Sequence, residues 1–171
     1  MSLRLVLMGV SGCGKSSVGE ALSALIGVPY VDGDGLHPPE NVAKMAAGVP
    51  LTDDDRGPWL DRVAGALRDQ APVIVGCSAL KRRYRIRIRG GGGGGVVFAH
   101  LTGSRDLILS RMAARTGHYM PVSLLDSQFA ALEPPVDEAD AFAVSIDQNT
   151  EDIAAAIAAE IAGRLAEFRP R

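Results

Sequence analysis

Short apolar runs alternate with helix-like segments along the chain. Five runs have strand length and are continuously apolar: residues 3–8, 28–31, 72–76, 96–101 and 141–146. Between them, apolar residues recur at helical spacing over residues 17–26, 39–47, 58–70, 79–89, 104–114, 122–132 and 151–168. Strands without polar alternation, separated by helices, are typical of a mostly parallel sheet covered on both faces. The pattern therefore predicts a doubly wound α/β fold with five strands.

Six consecutive glycines at 90–95 interrupt this pattern once, between a helix and the following strand. Glycine favours neither element, so we expect a mobile connector there. A length of 171 residues fits a single domain, 1–171, because the chain on both sides of the glycines contributes strands to one sheet.

Composition and charge narrow the possible partners. Hydrophobic residues make up 47% and charged residues 22%, as in ordinary globular proteins. The formal net charge of −2 argues against a protein built to bind nucleic acid or an anionic membrane. No apolar run reaches the roughly 18 residues of a membrane span, and the N-terminus lacks a signal-peptide pattern, so a cytoplasmic location is expected. Two cysteines, Cys13 and Cys77, fit a reducing compartment.

A phosphate-binding loop is predicted between the first strand and the first helix. Its residues match G-x-x-x-x-G-K-[ST] and run Gly9, Val10, Ser11, Gly12, Cys13, Gly14, Lys15, Ser16, followed by Ser17. Glycines allow successive backbone N–H groups to face phosphates at a helix N-terminus. Lys15 would bridge the β- and γ-phosphates of a nucleotide, and the Ser16 hydroxyl would bind Mg²⁺. The alternative is a glycine-rich turn with an incidental lysine.

Two carboxylates, Asp32 and Asp34, follow the second strand at the edge where ligands of such sheets bind. Alternate residues of an extended segment share a face, so one carboxylate could hold Mg²⁺ while the other orients or deprotonates an alcohol. A solvated Asp-Gly turn is the alternative. His37, before a proline, is either a ligand residue or a packing residue.

Several blocks in order resemble the gluconate kinases, P-loop kinases related to shikimate kinase. Besides the phosphate loop they are residues 32–38, 41–45, 48–56 with 58–60, 77–81, 117–121, 124–129 and 132–135. The resemblance implies a nucleoside monophosphate kinase-like architecture with a lid around 112–121. It also implies ATP-dependent, Mg²⁺-assisted phosphorylation of the 6-hydroxyl of D-gluconate, and a homodimer. Residues 86–95 depart from the family pattern, because Ile86 stands where a carboxylate is common and polyglycine replaces a mixed loop.

The resemblance also assigns roles to individual residues. Asp34 would contact the acceptor hydroxyl, by similarity to the shikimate kinases, and Asp32 would lie nearer the metal. Arg56 has a planar fork suited to the substrate's carboxylate, unless it merely neutralises the acidic run before it. Further substrate contacts are expected at polar side chains of the matching blocks: His37, Lys81 and His118.

Arg111 and Arg115 are four residues apart, hence on one helical face, directly before the predicted lid. We expect both to bind ATP and to stabilise the transferring phosphoryl group. The alternative is a solvated helix face.

Three broader alternatives stay open. The acceptor could be another small hydroxy acid such as shikimate, or the chain could be a nucleotide-dependent switch without an acceptor. Six cations within 81–89 could form a nucleic-acid patch, although a solvated helix face balanced by acidic residues is favoured. Cys13 and Cys77 are expected to be small buried residues, with an oxidative switch as the alternative.

Overall fold

The computed structural model describes residues 2–114 and 122–167, and it has the predicted parallel sheet. The strands are β1 (Arg4–Met8), β2 (Tyr30–Asp32), β3 (Val73–Gly76), β4 (Val96–Thr102) and β5 (Ala141–Ser145). The helices are α1 (Lys15–Ile26), α2 (Pro39–Ala46), α3 (Asp53–Asp69), α4 (Arg82–Gly91), α5 (Arg105–Ala113), α6 (Val122–Ala131) and α7 (Thr150–Glu167), with a 3-10 turn at Gly33–Leu36. All pairs are parallel in the order β2-β3-β1-β4-β5. Within the described ranges, no helix is long and apolar enough to cross a membrane.

Side chains of the central strand β1 enter two cores on opposite faces of the sheet. Leu5 and Leu7 pack with apolar residues of α1 and α7, whereas Val6 and Met8 pack with residues of α3 and α4. All four are fully buried. This two-sided burial explains why the strands are continuously apolar in sequence.

Helix α3 begins at Asp53, five residues before the predicted start at Pro58. A capping box fixes this start: the Asp55 N–H donates to Thr52 Oγ1 at 3.1 Å, and the Thr52 N–H donates to Asp55 Oδ2 at 2.9 Å. Pro58 lies inside the helix rather than at its first position. The acidic residues 53–55 therefore form the first turn of α3.

The first two residues of the polyglycine run are helical, whereas the sequence predicts a connector without helix or strand. Helix α4 continues to Gly91, and the left-handed backbone begins only at Gly93–Gly95, with φ of 85°, 84° and 64°. Three left-handed residues in succession explain the need for glycine there. The carbonyl of Gly91 accepts from Arg68 at 3.3 Å. Mobility of the connector stays a prediction.

Arg85 of α4 is completely buried and joins two segments distant in sequence. It donates to the carbonyls of Ala79 at 2.8 Å and Leu80 at 3.2 Å, after β3. It also donates to the Glu133 carbonyl at 2.8 Å and to Glu138 Oε1 at 2.7 Å, in the segment before β5. The loop after β3 is thus tied to the segment that follows α6.

The cations of residues 81–89 are mostly paired within the molecule. Carboxylate partners are Asp53 for Lys81 and Arg83, Glu138 for Arg85, Asp61 for Arg87, and Asp140 with Glu138 for Arg89. This pairing favours the balanced helix face over a nucleic-acid patch.

Candidate active site

The phosphate-binding motif lies between β1 and α1, at the carboxyl edge of the sheet. Gly9, Gly12 and Gly14 have φ of 149°, 81° and 96°, so the loop turns through conformations that suit glycine. Lys15 is the first residue of α1, and its Nζ donates to the carbonyls of Gly9 at 2.9 Å and Val10 at 3.1 Å. The ammonium group therefore lies at the loop, where the helix N-terminus adds partial positive charge.

Side chains of α5 and α6 contact this loop. A Cβ on Gly12 would lie 2.7 Å from Cγ of Met112, so the end of α5 packs directly against the loop. From α6, Gln128 Oε1 accepts from the Ser11 N–H at 2.6 Å, and Gln128 Nε2 donates to Ser11 Oγ at 2.9 Å. Sequence reasoning missed Gln128, although its position on the apolar face of the predicted helix was a visible signal.

Asp32 is the last residue of β2, as predicted, but Asp34 lies in the following 3-10 turn and not on the extended segment that the sequence predicted. Asp32 caps the 3-10 turn, because its Oδ1 accepts from the Asp34 N–H at 2.9 Å. A Cβ on Gly33 would lie 2.2 Å from the Gly76 carbonyl oxygen, so only glycine lets β2 leave the sheet so close to β3. The fold therefore requires glycine at position 33, and the carboxylates of Asp32 and Asp34 flank it in this D-G-D segment.

The thiol of Cys77 is buried directly after β3, the strand between β1 and β2. Burial raises the pKa of Cys77 to about 12, a backbone hydrogen bond from Ala79 opposes this, and the charges of Lys15 and Asp34 act in opposite directions. Because β3 lies between β1 and β2, the phosphate loop and the D-G-D segment leave the sheet at the same edge, on either side of Cys77. The raised pKa also disfavours the oxidative switch at Cys77, since the thiolate is the reactive species.

His37 stacks on Trp59, with ring centroids 4.2 Å apart and an interplanar angle of 15°. Trp59 Nε1 in turn donates to the Gly33 carbonyl at 2.8 Å, which links the stack to the D-G-D segment. Asn41 Nδ2 lies 3.2 Å from His37 Nδ1. Because Asn41 Nδ2 can only donate, we assign a neutral His37 with its proton on Nε2. Burial lowers the pKa of His37, Asp34 opposes that shift and Arg56 adds to it, which agrees with the neutral form.

Cations converge on one carboxylate beside the stack. Asp53 contacts Lys81 Nζ at 3.4 Å, Arg56 at 4.0 Å, and both Arg83 and the Tyr84 hydroxyl at hydrogen-bonding range. Arg56, Lys81 and Arg83 also lie 5.7–5.8 Å from the centroid of the Tyr84 ring. Three cations around one carboxylate leave an excess of positive charge. This cation cluster (Arg56, Lys81 and Arg83 around Asp53) suits an anionic group of a ligand.

The acidic run before Arg56 neutralises it only in part, because Asp53 lies 4.0 Å away and is shared with Lys81 and Arg83. Asp55 pairs with Lys44 at 2.8 Å, and that hydrogen bond, together with the Thr52 backbone, lowers the pKa of Asp55 to about 2. Arg56 instead donates to the Leu51 carbonyl at 2.8 Å. Its guanidinium keeps donors for a ligand, because a guanidinium carries five N–H groups.

Of the two predicted lid arginines, only Arg111 lies among the described residues. It is in the last turn of α5, and its NH2 group donates to the Gln148 carbonyl at 3.2 Å, in the segment between β5 and α7. Arg115 and His118 lie outside the described residues, so their roles stay predictions. The neighbouring Met112 packs against Gly12, which brings α5 to the phosphate loop.

Ser16 and Asp32 supply the oxygen donors that Mg²⁺ prefers. Residues 2–114 and 122–167 contain no group of three or more His, Cys, Asp or Glu that could hold a metal. Mg²⁺ commonly takes one or two protein oxygens and completes its shell with phosphates and water. The donors present therefore fit a Mg²⁺ ion that arrives with a nucleotide, rather than one in an all-protein cage.

The sequence of this chain is similar to those of known kinases. The chain is 44% identical over 154 residues to the thermosensitive gluconokinase of Escherichia coli K12, covering 86% of this chain and 81% of that protein. It is also 44% identical over 151 residues to the gluconokinase of Gluconobacter oxydans 621H, covering 86% and 84% of the two chains. No protein-family model matches.

Solved structures show the same relationship. A gluconokinase from Sinorhizobium meliloti 1021 superposes with a TM-score of 0.89 at 46% identity, covering 99% of this chain and 98% of that one. A shikimate kinase from Bacteroides thetaiotaomicron gives a TM-score of 0.68 at 14% identity over 95% and 99% of the chains, a likeness of fold alone. The P-loop kinase architecture predicted from the sequence is thereby confirmed.

Proposed function

The chain belongs to the gluconokinase family, and on that premise we propose that it transfers the γ-phosphoryl group of ATP to the 6-hydroxyl group of D-gluconate, giving 6-phosphogluconate and ADP. The observation that supports this proposal is that the phosphate loop after β1 and the D-G-D segment after β2 leave the same carboxyl edge of the sheet, on either side of β3. Phosphoryl transfer to an alcohol needs a phosphate-binding cation and an acceptor carboxylate at one such edge.

Phosphoryl transfer depends mainly on positioning and on neutralising negative charge. The loop N–H groups and Lys15 bind the β- and γ-phosphates and hold the leaving group in place. Asp34 accepts the hydrogen bond of the acceptor hydroxyl, orients its oxygen towards the γ-phosphorus and receives its proton as the new P–O bond forms. The cap between Asp32 and the Asp34 N–H fixes the backbone of Asp34, which restricts where its carboxylate can lie.

Mg²⁺, held by Ser16 and Asp32, would neutralise phosphate charge as that bond is made. Arg111 and Arg115 supply the remaining positive charge that stabilises the transferring phosphoryl group. Arg111 supports this assignment by its place in α5 beside the phosphate loop.

The sugar acid is recognised at its two ends. Its carboxylate binds Arg56 and Lys81 of the cation cluster, where a planar guanidinium can donate two parallel hydrogen bonds. Its hydroxyl groups meet the neutral imidazole of His37, whose Nε2–H is a donor. His118 is a further predicted contact. A polyhydroxy acid that spans from the cation cluster to Asp34 is therefore the favoured acceptor.

A coupled assay of ADP release tests the proposal. Mg-ATP is incubated with D-gluconate, shikimate, other sugar acids or no acceptor, and a Lys15→Met variant controls for contaminating kinases. Gluconate-dependent turnover well above the blank supports the proposal. Turnover with shikimate instead would assign the chain to the other hydroxy acid, and nucleotide binding without any acceptor-dependent turnover would support the switch.

The homodimer implied by the family resemblance belongs to the same proposal. Light scattering coupled to size-exclusion chromatography measures the mass of the particle directly. A mass of twice 17.9 kDa supports the dimer, and the mass of one chain contradicts it.

A further inference from the structure

Gln128 is a polar residue on the inward face of α6. Leu125 and Phe129 on the same face pack into the apolar core, as does Leu132 one turn beyond. These positions recur at helical spacing around Gln128, so a solvent-facing role does not explain the carboxamide. Both of its polar atoms are bonded to a single residue 117 positions away in the chain, Ser11 of the phosphate loop.

The two bonds determine how the loop presents its backbone. The Ser11 N–H donates to Gln128 Oε1 at 2.6 Å, so it is already bonded within the protein. The two preceding carbonyls, of Gly9 and Val10, accept from Lys15. The loop is thus held by Lys15 of α1 and by Gln128 of α6. The Cys13 N–H donates to the Val10 carbonyl at 3.3 Å, which leaves the N–H groups of Gly12, Gly14, Lys15 and Ser16 for phosphate.

Packing alone does not fix Ser11. Met112 presses against Gly12, the next residue, but makes no polar contact with the loop in the part of the chain that the structure describes. The Ser11 hydroxyl receives a hydrogen bond from Gln128 Nε2 at 2.9 Å, which orients it as well as the backbone. The pair therefore sets the conformation of the loop segment that precedes the phosphate-binding N–H groups.

We propose that Gln128 is a positioning residue for the nucleotide: acting through Ser11, it holds the phosphate-binding loop in the conformation that binds the phosphates of ATP and ADP. The inference rests on the proposed function only in taking this loop as the nucleotide site. A loop that is already ordered binds more tightly, because the ordering does not have to occur at the moment of binding. Removing the carboxamide should weaken nucleotide binding and leave gluconate binding unchanged.

The test measures the dissociation constant of Mg-ADP carrying an N-methylanthraniloyl fluorophore, together with both KM values. Gln128→Met keeps the length of the side chain and removes both hydrogen bonds. Ser11→Ala removes the hydroxyl and keeps the N–H bond. Ser127→Ala is the matched control on the same helix, because among residues 2–114 and 122–167 its hydroxyl bonds only to the Leu124 carbonyl of α6, at 2.7 Å. Thermal unfolding of each variant separates loop effects from loss of folding.

We expect Gln128→Met to raise the Mg-ADP dissociation constant and KM for ATP about tenfold, as the loss of two net hydrogen bonds predicts. Ser11→Ala should raise them about threefold, and the double variant should match Gln128→Met, since the two residues act as a unit. Ser127→Ala should change neither, and KM for gluconate should stay within about twofold in all variants.

Two outcomes would overturn the proposal. One is a lowered melting temperature of Gln128→Met with unchanged nucleotide affinity, which would show that Gln128 only stabilises the packing of α6. The other is a double variant about thirtyfold weaker, since independent effects multiply. Because ADP binding needs no acceptor, an unmodified protein that binds Mg-ADP but does not phosphorylate gluconate would contradict the proposed function and leave this test intact.

Discussion

Replacing Glu138 by glutamine should be among the most destabilising single changes outside the active site. Glu138 accepts from Arg85 and Arg89, and the Arg85–Glu138 pair is buried, with side-chain exposures of 1% and 7%. Glutamine keeps one acceptor oxygen but removes the charge, which leaves the Arg85 guanidinium buried without its counter-ion. Breaking such a pair from one side costs about 3–5 kcal/mol.

The pKa of Glu138 gives a second measure of the same interaction. The hydrogen bond from Arg85, with a smaller contribution from Arg89, lowers this pKa from 4.5 to about 2. A displacement of that size corresponds to about 3 kcal/mol in favour of the folded state at neutral pH. Because the pKa is depressed by folding, this stabilisation is complete above the unfolded value and is lost as pH falls from about 4.5 towards 2. The difference between the two proteins should therefore shrink by about 1 kcal/mol from pH 7 to pH 3.5.

Urea unfolding at both pH values measures the effect, followed by the fluorescence of Trp59, the single tryptophan, which is 3% exposed. The matched control is Asp61→Asn in α3. It breaks an exposed pair with Arg87, which lies in α4 like Arg85; the side chains of Arg87 and Asp61 are 50% and 58% exposed. The control should cost less than about 1 kcal/mol. A Glu138→Gln protein no less stable than the Asp61→Asn control would refute the reasoning, as would a difference between wild type and Glu138→Gln that grows on acidification.

Four outcomes concern the site itself. Asp34→Asn should lower kcat at least about a hundredfold with KM for ATP within threefold, and an unchanged kcat would remove its role as base. Arg56→Leu should raise KM for gluconate about ten- to a hundredfold, and an equal rise in KM for ATP would contradict carboxylate recognition. Arg115→Ala should slow single-turnover transfer about a hundredfold in rapid-quench measurements, and an unaffected rate would end its assignment. Activity should be unaffected by peroxide, because Cys77 is buried and its pKa is about 12; reversible loss would support the oxidative switch.

The sheet could be predicted from the sequence because strands buried on both faces leave continuous apolar runs. The ends of strands and helices differ from the prediction where local signals compete. Residues 28–31 suggested the second strand, but Pro29 has no N–H to give to the ladder, and β2 begins at Tyr30. Pro58 suggested a helix start, whereas the capping box between Thr52 and Asp55, also readable from the sequence, marks the true one.

Some site residues can be predicted from the sequence and others cannot. The phosphate loop and Asp32 with Asp34 are local motifs at the ends of strands, so their place follows from the strand assignment. Asp53 was hidden within an acidic run, because its partners Arg83 and Tyr84 come from another helix and meet it only in the folded chain. Contacts of this kind depend on tertiary packing, which no spacing along the sequence encodes.

The central position of β1 divides the molecule into two functional halves. On one side, β2 and β3 lead into the groups proposed for the sugar acid: Asp34, His37, Arg56 and Lys81. On the other, β4 and β5 lead into α5 and α7, Arg111 of α5 donates to Gln148 before α7, and α6 reaches the phosphate loop. Residues 30–84 thus form a cassette that carries the proposed acceptor groups together with Asp32, so an exchange for another acceptor specificity must retain Asp32 and Asp34 for phosphoryl transfer. Arg85 marks where such an exchange must stop, since its bonds to Glu133 and Glu138 join the cassette to the nucleotide half.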